Sequence, residues 1–221
     1  PITVNVIETE ETTVLNDYAF QYKYDSRKRM THKKVPGAEW VYMVYDDRDR
    51  LVMTQDGEQR KSNEWTFTKY DQLNRPILTG IFVDTESSPR DQDEMQLAIN
   101  TFYASAIEPN NTDEWFEVMD GPVHGYTNNS FPKVSTESDY LTVTYYDDYS
   151  FQPLIGSTAT TFDYDANQLT AAGSNPGQRT ENFARVNGQV TGAKIKNLDT
   201  NEFLWSVNYY DDLDRVIEPT G

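Results

Sequence analysis

The sequence predicts an all-β protein: antiparallel β-hairpin repeats joined into a curved sheet, with one helix in an insertion. Three observations predict it. A short strand that ends in Tyr-Asp and then turns occurs five times. Within the copies, bulky apolar and small polar residues alternate, which is the period of a half-buried strand. The chain is also rich in the aromatic residues that strands favour, with 15 Tyr, 10 Phe and 4 Trp.

The fullest copy is WTFTKYDQLNRPILTG, from Trp65 to Gly80. The others are AFQYKYDSRKRM from Ala19, WVYMVYDDRDRL from Trp40, LTVTYYDDYSFQ from Leu141 and WSVNYYDDLDRV from Trp205. Alignment on Tyr-Asp groups Tyr24-Asp25, Tyr45-Asp46, Tyr70-Asp71, Tyr146-Asp147 and Tyr210-Asp211. Arg stands four residues past the Asp at Arg29, Arg50, Arg75 and Arg215, whereas the copy at Asp147 has Phe151. The first three copies are 21 and 25 residues apart, as expected of stacked supersecondary units.

Counted back from each Tyr, the odd positions are Trp40, Tyr42, Val44; Trp65, Phe67, Lys69; Leu141, Val143, Tyr145; and Trp205, Val207, Tyr209. That face is nearly apolar, and a one-residue slip would turn it to water. Trp40, Trp65 and Trp205 are therefore expected to be mostly buried on one face as the core of the repeat. The first copy departs from the pattern, with Gln21 and Lys23 on this side. The opposite face carries the motif Tyr and residues such as Thr66, Thr68, Thr142, Thr144, Ser206 and Asn208. At the turn, Asp accepts hydrogen bonds from backbone N–H groups just ahead. The residue before the Arg is Lys28, Asp49, Asn74 or Asp214, and a left-handed backbone is expected there. The Arg stacks on a Tyr or pairs with the turn Asp.

The Y-D-x-x-x-R pattern resembles the YD-repeat (Rhs) family, whose usual form is Y-D-x-x-G-R. The resemblance covers 19–80, 141–151 and 205–217 and says little about 85–139 or 152–200. It implies a segment of a hollow shell made of a spiralling sheet, within a large secreted or cell-surface protein. It further implies that the partners are the remainder of a longer chain and an enclosed C-terminal effector domain.

Taken in order, residues 1–18 read as one strand, through Ile2, Val4 and Val6, and an acidic connection. Residues 19–84 hold three tandem hairpins, with return strands at 50–53 and 76–78 and turns at Pro36-Gly37 and Asp56-Gly57. Residues 85–139 are an insertion. Ser88-Pro89-Arg90-Asp91 reads as a helix start with Ser88 as N-cap. Met95, Ala98, Ile99 and Phe102 follow at helical spacing and predict a lid on the tryptophan face, ending before Pro109. The stretch 110–139 reads as loop. Residues 140–221 hold further, degenerate repeats: the fourth copy, a strand at 157–164, a loop at 171–178, and strands at 193–198 and 203–210.

Composition restricts function. With 36 acidic against 19 basic residues the net charge is −17, which opposes binding to nucleic acid or to anionic membrane surfaces. No apolar run is long enough to span a bilayer as a helix. The chain begins at Pro1 and stops two residues after Pro219, and a piece of a longer protein is expected. Without cysteine there is neither a disulfide nor a thiolate metal site.

Asp163, Asp165 and Asn167 open like a calcium loop, but Gln168 and Ser174 stand where Gly and Glu belong, so no metal is expected. The pairs Asp46-Asp47, Asp147-Asp148 and Asp211-Asp212 sit at turns, not across one sugar-sized cleft. His32 and His124 have no paired spacing. No cofactor and no catalysis are expected. The reading is a non-catalytic scaffold. The alternatives are a module that grips carbohydrate or protein through exposed aromatics, and an enzyme using clustered carboxylates. Unpaired strand edges predict weak self-association.

Overall fold

The computed structural model describes residues 10–105, 115–165, 182 and 184–220. The protein is mostly β. Its elements are α1 (Glu10–Tyr18), β1 (Gln21–Tyr24), β2 (Met30–Lys34), β3 (Val41–Tyr45), β4 (Leu51–Gln55), α2 (Gly57–Lys61), β5 (Glu64–Tyr70), β6 (Pro76–Val83) and α3 (Gln92–Ser105). They continue with β7 (Met119–Gly121), β8 (Gly125–Tyr126), β9 (Tyr140–Asp147), β10 (Val186–Lys196), β11 (Phe203–Tyr210) and β12 (Val216–Thr220). Ten strands form one antiparallel sheet in the order β1-β2-β3-β4-β5-β6-β9-β10-β11-β12, and β7 and β8 pair separately. Neighbours in sequence are thus neighbours in the sheet, as a chain of hairpins requires.

Two compact units divide the chain: Pro1–Thr68 with Ile81–Glu114, and Lys69–Gly80 with Trp115–Gly221. In the first, Val44, Val52, Met53, Trp65 and Phe67 are buried, together with Met95, Ile99 and Tyr103 of α3. An aromatic row runs from Trp40 to His32, Tyr42 and Trp65, with ring centroids 5.8, 5.1 and 6.3 Å apart. The helix α3 lies against β3. Gln92 donates to the Met43 carbonyl at 2.8 Å, and Gln96 both donates to the Tyr45 carbonyl at 2.6 Å and accepts from its N–H at 3.0 Å. Those glutamines satisfy backbone groups at the bulge where β3 loses register with β4.

In the second unit Ile77, Leu78, Tyr140, Val143, Tyr145, Phe151, Val186 and Val207 are buried. Tyr145 stacks on Phe151 at 4.5 Å and on Trp205 at 5.7 Å, with rings within 12° of parallel.

The expected alternation holds most cleanly in β5, where Trp65, Phe67 and Lys69 are buried and Thr66, Thr68 and Tyr70 are partly open. Of the three tryptophans only Trp65 is fully buried. Trp40 and Trp205 are partly open, less completely covered than Trp65 but not exposed. The physical reason for Trp40 is its neighbour: it faces the short strands β1 and β2, where Lys23 covers its ring at 5.0 Å without sealing it.

Several elements differ from the sequence reading. The acidic connection before Ala19 is the helix α1. The turn at Asp56-Gly57 opens the five-residue helix α2, because Asp56 and Gln59 form a reciprocal capping box. The helix α3 starts three residues later than expected. Its first N–H groups are satisfied by Asp91, which accepts from Glu94 N–H while Glu94 accepts from Asp91 N–H, both at 3.0 Å. In place of a strand at 157–164 there is a 3-10 segment, Gln152–Phe162, with Pro153 in its first turn and a break at Gly156 (φ 81°). The strand at 193–198 is longer and starts at Val186. The expected N-terminal strand, the end of the insertion helix near Pro109 and the loop at 171–178 lie outside the described residues.

Replacing Trp65 by Ala should cost about 3–5 kcal/mol in urea unfolding, the usual range for a buried Trp. Trp40→Ala and Trp205→Ala should each cost clearly less. The buried indole N–H of Trp65 has no hydrogen-bond partner, so Trp65→Phe should cost much less than Trp65→Ala.

Candidate functional site

The strongest recurring geometry is the Tyr-Asp turn. Strand pairing slips by one residue at Tyr24, Tyr45 and Tyr210, which face Met30, Leu51 and Val216. At each of four turns the Asp Oδ1 accepts two backbone N–H groups, from the residues two and four places on, at 2.8–3.0 Å. Oδ2 accepts the Arg Nε at 2.6–2.8 Å in the pairs Asp25–Arg29, Asp46–Arg50, Asp71–Arg75 and Asp211–Arg215. The Asp N–H donates to the Arg carbonyl, and the Asp carbonyl accepts from the N–H three residues on.

That last N–H belongs to the residue expected to be left-handed. Lys28, Asp49, Asn74 and Asp214 have φ of 64°, 61°, 61° and 59°. The left-handed residue expected before the Arg is therefore present at all four turns.

The carboxylates of Asp46, Asp71 and Asp211 are buried. An unpaired carboxylate there would be costly, and the Arg together with two N–H groups satisfies it. The Arg215 hydrogen bond is the main reason that the Asp211 carboxyl is held down to about 2. Burial pushes Asp25 up, but the Arg29 N–H and guanidinium outweigh it and leave it below its usual range.

Arg29 and Arg75 also reach a neighbouring turn, as does Arg27, which donates to Asp49 at 2.7 Å. The Arg29 guanidinium lies 4.8 Å from the Tyr45 ring centroid and donates to Asp49 at 2.9 Å. Arg75 forks onto both Asp147 oxygens, at 2.9 and 2.5 Å, and lies 4.2 Å from the Tyr146 ring centroid. The Asp147 hydrogen bonds push Arg75 above its ordinary range, and Arg75 holds Asp147 below its own.

The fourth copy departs from the others. Asp147 itself has φ 74°, and Phe151, in the Arg place, is buried in the aromatic stack. Gly192 is required opposite it, because a Cβ there would meet the Phe151 ring at 2.2 Å.

Beside the third turn is a groove of about 330 Å³, lined by Asp71, Arg75, Met119, Tyr126, Tyr146 and Asp147 among others. Its central charged and phenolic groups are engaged. Arg75 is shared between Asp71 and Asp147, and the Tyr126 hydroxyl donates to the Thr144 carbonyl at 2.8 Å. Burial raises the Tyr126 hydroxyl above its ordinary range. In the three acidic pairs the first member serves a turn or Arg75, while Asp47, Asp148 and Asp212 are exposed. Among the described residues no group of three His, Cys, Asp or Glu is placed to hold a metal, and Asn167 of the Asp163–Asn167 stretch lies outside them.

The sequence reading missed a buried polar centre. Lys69, on the apolar face of β5, donates to Glu117 Oε1 at 3.0 Å, to Asn128 Oδ1 at 2.6 Å and to the Ser130 carbonyl at 3.1 Å. Glu117 further accepts from Thr127 Oγ1 and Asn129 N–H at 2.7 Å, and from the Ser130 N–H and hydroxyl at 2.9 and 2.6 Å. Both side chains are wholly buried. Burial pulls Lys69 below its ordinary range. Glu117 is pushed up by burial, but Lys69 and the hydrogen bonds outweigh this and hold it low. The available signal was Lys69 itself, a charge on a face that is otherwise apolar.

His124 is buried, with its Nε2 3.0 Å from the Glu137 carbonyl and its ring against Tyr140 and Phe203. Burial lowers its pKa and brings the nearby Lys194 down to about 8. His32 packs between Trp40 and Tyr42, and burial lowers it too. No protein-family model matches the chain, and no curated protein matches it.

Two predictions follow from the turn geometry. Asn74→Gly should be neutral or slightly stabilising, and Asn74→Val should be worse by about 1–2 kcal/mol, read by urea unfolding. The second concerns acid. Asp211 has a lower pKa folded than unfolded, so its contribution is fully present above about pH 4 and lost as the pH falls towards 2. Asp211→Asn should lower the melting temperature at pH 7, and the gap to the parent should close as the pH approaches 2.

Proposed function

We propose that the chain is a non-catalytic structural segment of a large YD-repeat (Rhs-like) protein, secreted or displayed on the cell surface, building part of a β-sheet shell. Its partners in this reading are the rest of its own longer chain and an effector domain held inside. The observation that carries the reading is the fourfold repetition of one Asp–Arg turn, with the same hydrogen bonds and the same left-handed residue each time. The recurrent charged residues serve backbone geometry, and at Arg29 and Arg75 they serve contact between successive hairpins as well. A catalytic role for the acidic pairs lacks support, because their buried members are committed to these contacts.

The runner-up is a binding module. Its sugar-binding form needs exposed, coplanar tryptophans. Trp65 is buried, and Trp205 is stacked on Tyr145 with Lys194 4.8 Å from its ring centroid. A protein-binding form is favoured by one observation. Tyr18, Phe20, Tyr22 and Tyr24, along and just before β1, are 78, 64, 46 and 61% exposed. Strand β1 ends the strand order, so its outer backbone edge is unpaired by the sheet.

The test is thermal unfolding with a panel of glycans, joined to sedimentation. Under the scaffold reading no glycan raises the melting temperature. Weak self-association appears at high concentration, grows with salt as the −17 charge is screened, and weakens in Tyr22→Ser. A glycan that stabilises the parent by several degrees and fails on Tyr22→Ser would overturn the reading in favour of a binding module.

A further inference from the structure

The buried centre around Lys69 has the components of an amide-forming reaction. It holds an amine and a carboxyl group that touches it, both shut away from bulk water, and a half-buried carboxamide beside them. Lys69 Nζ sits 2.6 Å from the side-chain oxygen of Asn128, so the ammonium polarises the carbonyl that it would attack. The Ser130 carbonyl, at 3.1 Å, holds the amine in place from another side. Glu117 Oε1 is 3.0 Å from the same nitrogen, within reach for proton transfer. The departing group is on the open side: Asn128 Nδ2 donates to Ser135 Oγ at 3.4 Å, and Ser135 is exposed. Lys69 and Glu117 are each 1% exposed, so solvent does not hold the amine in its charged form.

We propose that Lys69 and Asn128 join in an intramolecular isopeptide bond, with Glu117 as the proton carrier. Glu117 takes one proton from the Lys69 ammonium. The freed Nζ lone pair adds to Cγ of Asn128. A second Nζ proton passes through the same carboxyl to Nδ2, and the Cγ–Nδ2 bond breaks. Ammonia leaves and takes the proton held by Glu117 with it as ammonium. One C–N bond forms and one breaks, so the step needs no oxidant and no co-reactant. Proximity supplies the driving geometry, since the reacting groups are already in contact in the folded chain. Burial favours the neutral amine that the reaction requires and brings Lys69 down from its ordinary range. The product ties β5 to the connection between β8 and β9, closing a loop of the chain in the manner of a disulfide in a protein that has no cysteine.

This inference stands apart from the scaffold reading, which survives if the bond is absent. The test is intact-mass spectrometry of the folded full chain after incubation at neutral pH, followed by proteolysis. The expected result is the loss of one ammonia and a branched peptide joining Lys69 to Asn128. Glu117→Gln should keep its full mass, and so should Asn128→Ser, which removes the electrophile at a half-buried site. Asn128→Asp should lose one water instead and reach the same final mass as the reacted parent. The parent held unfolded in urea should not react. A folded parent that keeps its full mass overturns the proposal. So does an ammonia loss that persists in Lys69→Met, because the loss would then come from a different asparagine.

Discussion

The structure depends most on one constraint: a carboxylate placed inside a tight turn must have every lone pair answered. Asp46, Asp71 and Asp211 are buried at the ends of their strands. Two backbone N–H groups and one Arg Nε answer each of them. That requirement fixes the length of the turn, since the Arg must stand four residues on. It also fixes the left-handed residue, since only that backbone brings the last N–H back onto the Asp. Strand register follows from the bulge at the preceding Tyr, and the buried face follows from register. Composition, turn and core are thus one chain of cause.

How much of this was legible depends on how local the cause is. Tyr-Asp, the Arg and the left-handed position lie within six residues of one another, and five copies made them readable. The alternation of β5 was readable for the same reason. The helix cap was misplaced because Ser88 and Asp91 both fit the start pattern. The choice fell to Asp91, three residues before a Glu able to return the bond, while Arg90 is drawn back by three contacts to the buried Asp84. Most of the strand expected at 157–164 falls instead within the 3-10 segment Gln152–Phe162. That segment starts ahead of the expected strand, where Pro153, with its fixed φ and missing N–H, suits a first helical turn.

The tryptophans differ in degree of burial, which the repeat pattern does not encode. Trp40 and Trp65 hold the same place in their copies, yet only Trp65 is sealed. Register determines which way a side chain points, while the neighbouring strand determines what covers it. Trp65 has Tyr42 alongside, and Trp40 has a histidine and a lysine from short strands near the end of the sheet. A repeat therefore predicts direction better than burial, because its terminal copies lack a full set of neighbours.

Lys69 turns the same comparison into an argument about chemistry. The place just before the motif Tyr is filled by Val44, Tyr145 and Tyr209 in other copies, each of them buried, and by Lys23 where the strand is exposed. An apolar residue is thus what this backbone position accepts when it is covered. A buried ion pair seldom exceeds its hydrophobic replacement in stability, since the cost of desolvating two charges offsets their attraction. Glu117 is held by four hydrogen bonds besides Lys69, so it is fixed in place whether or not the amine stays charged. Stability alone therefore gives no reason for a lysine there. A carboxyl fixed that firmly, against an amine whose pKa burial lowers and an amide already in contact, is an arrangement suited to making a bond.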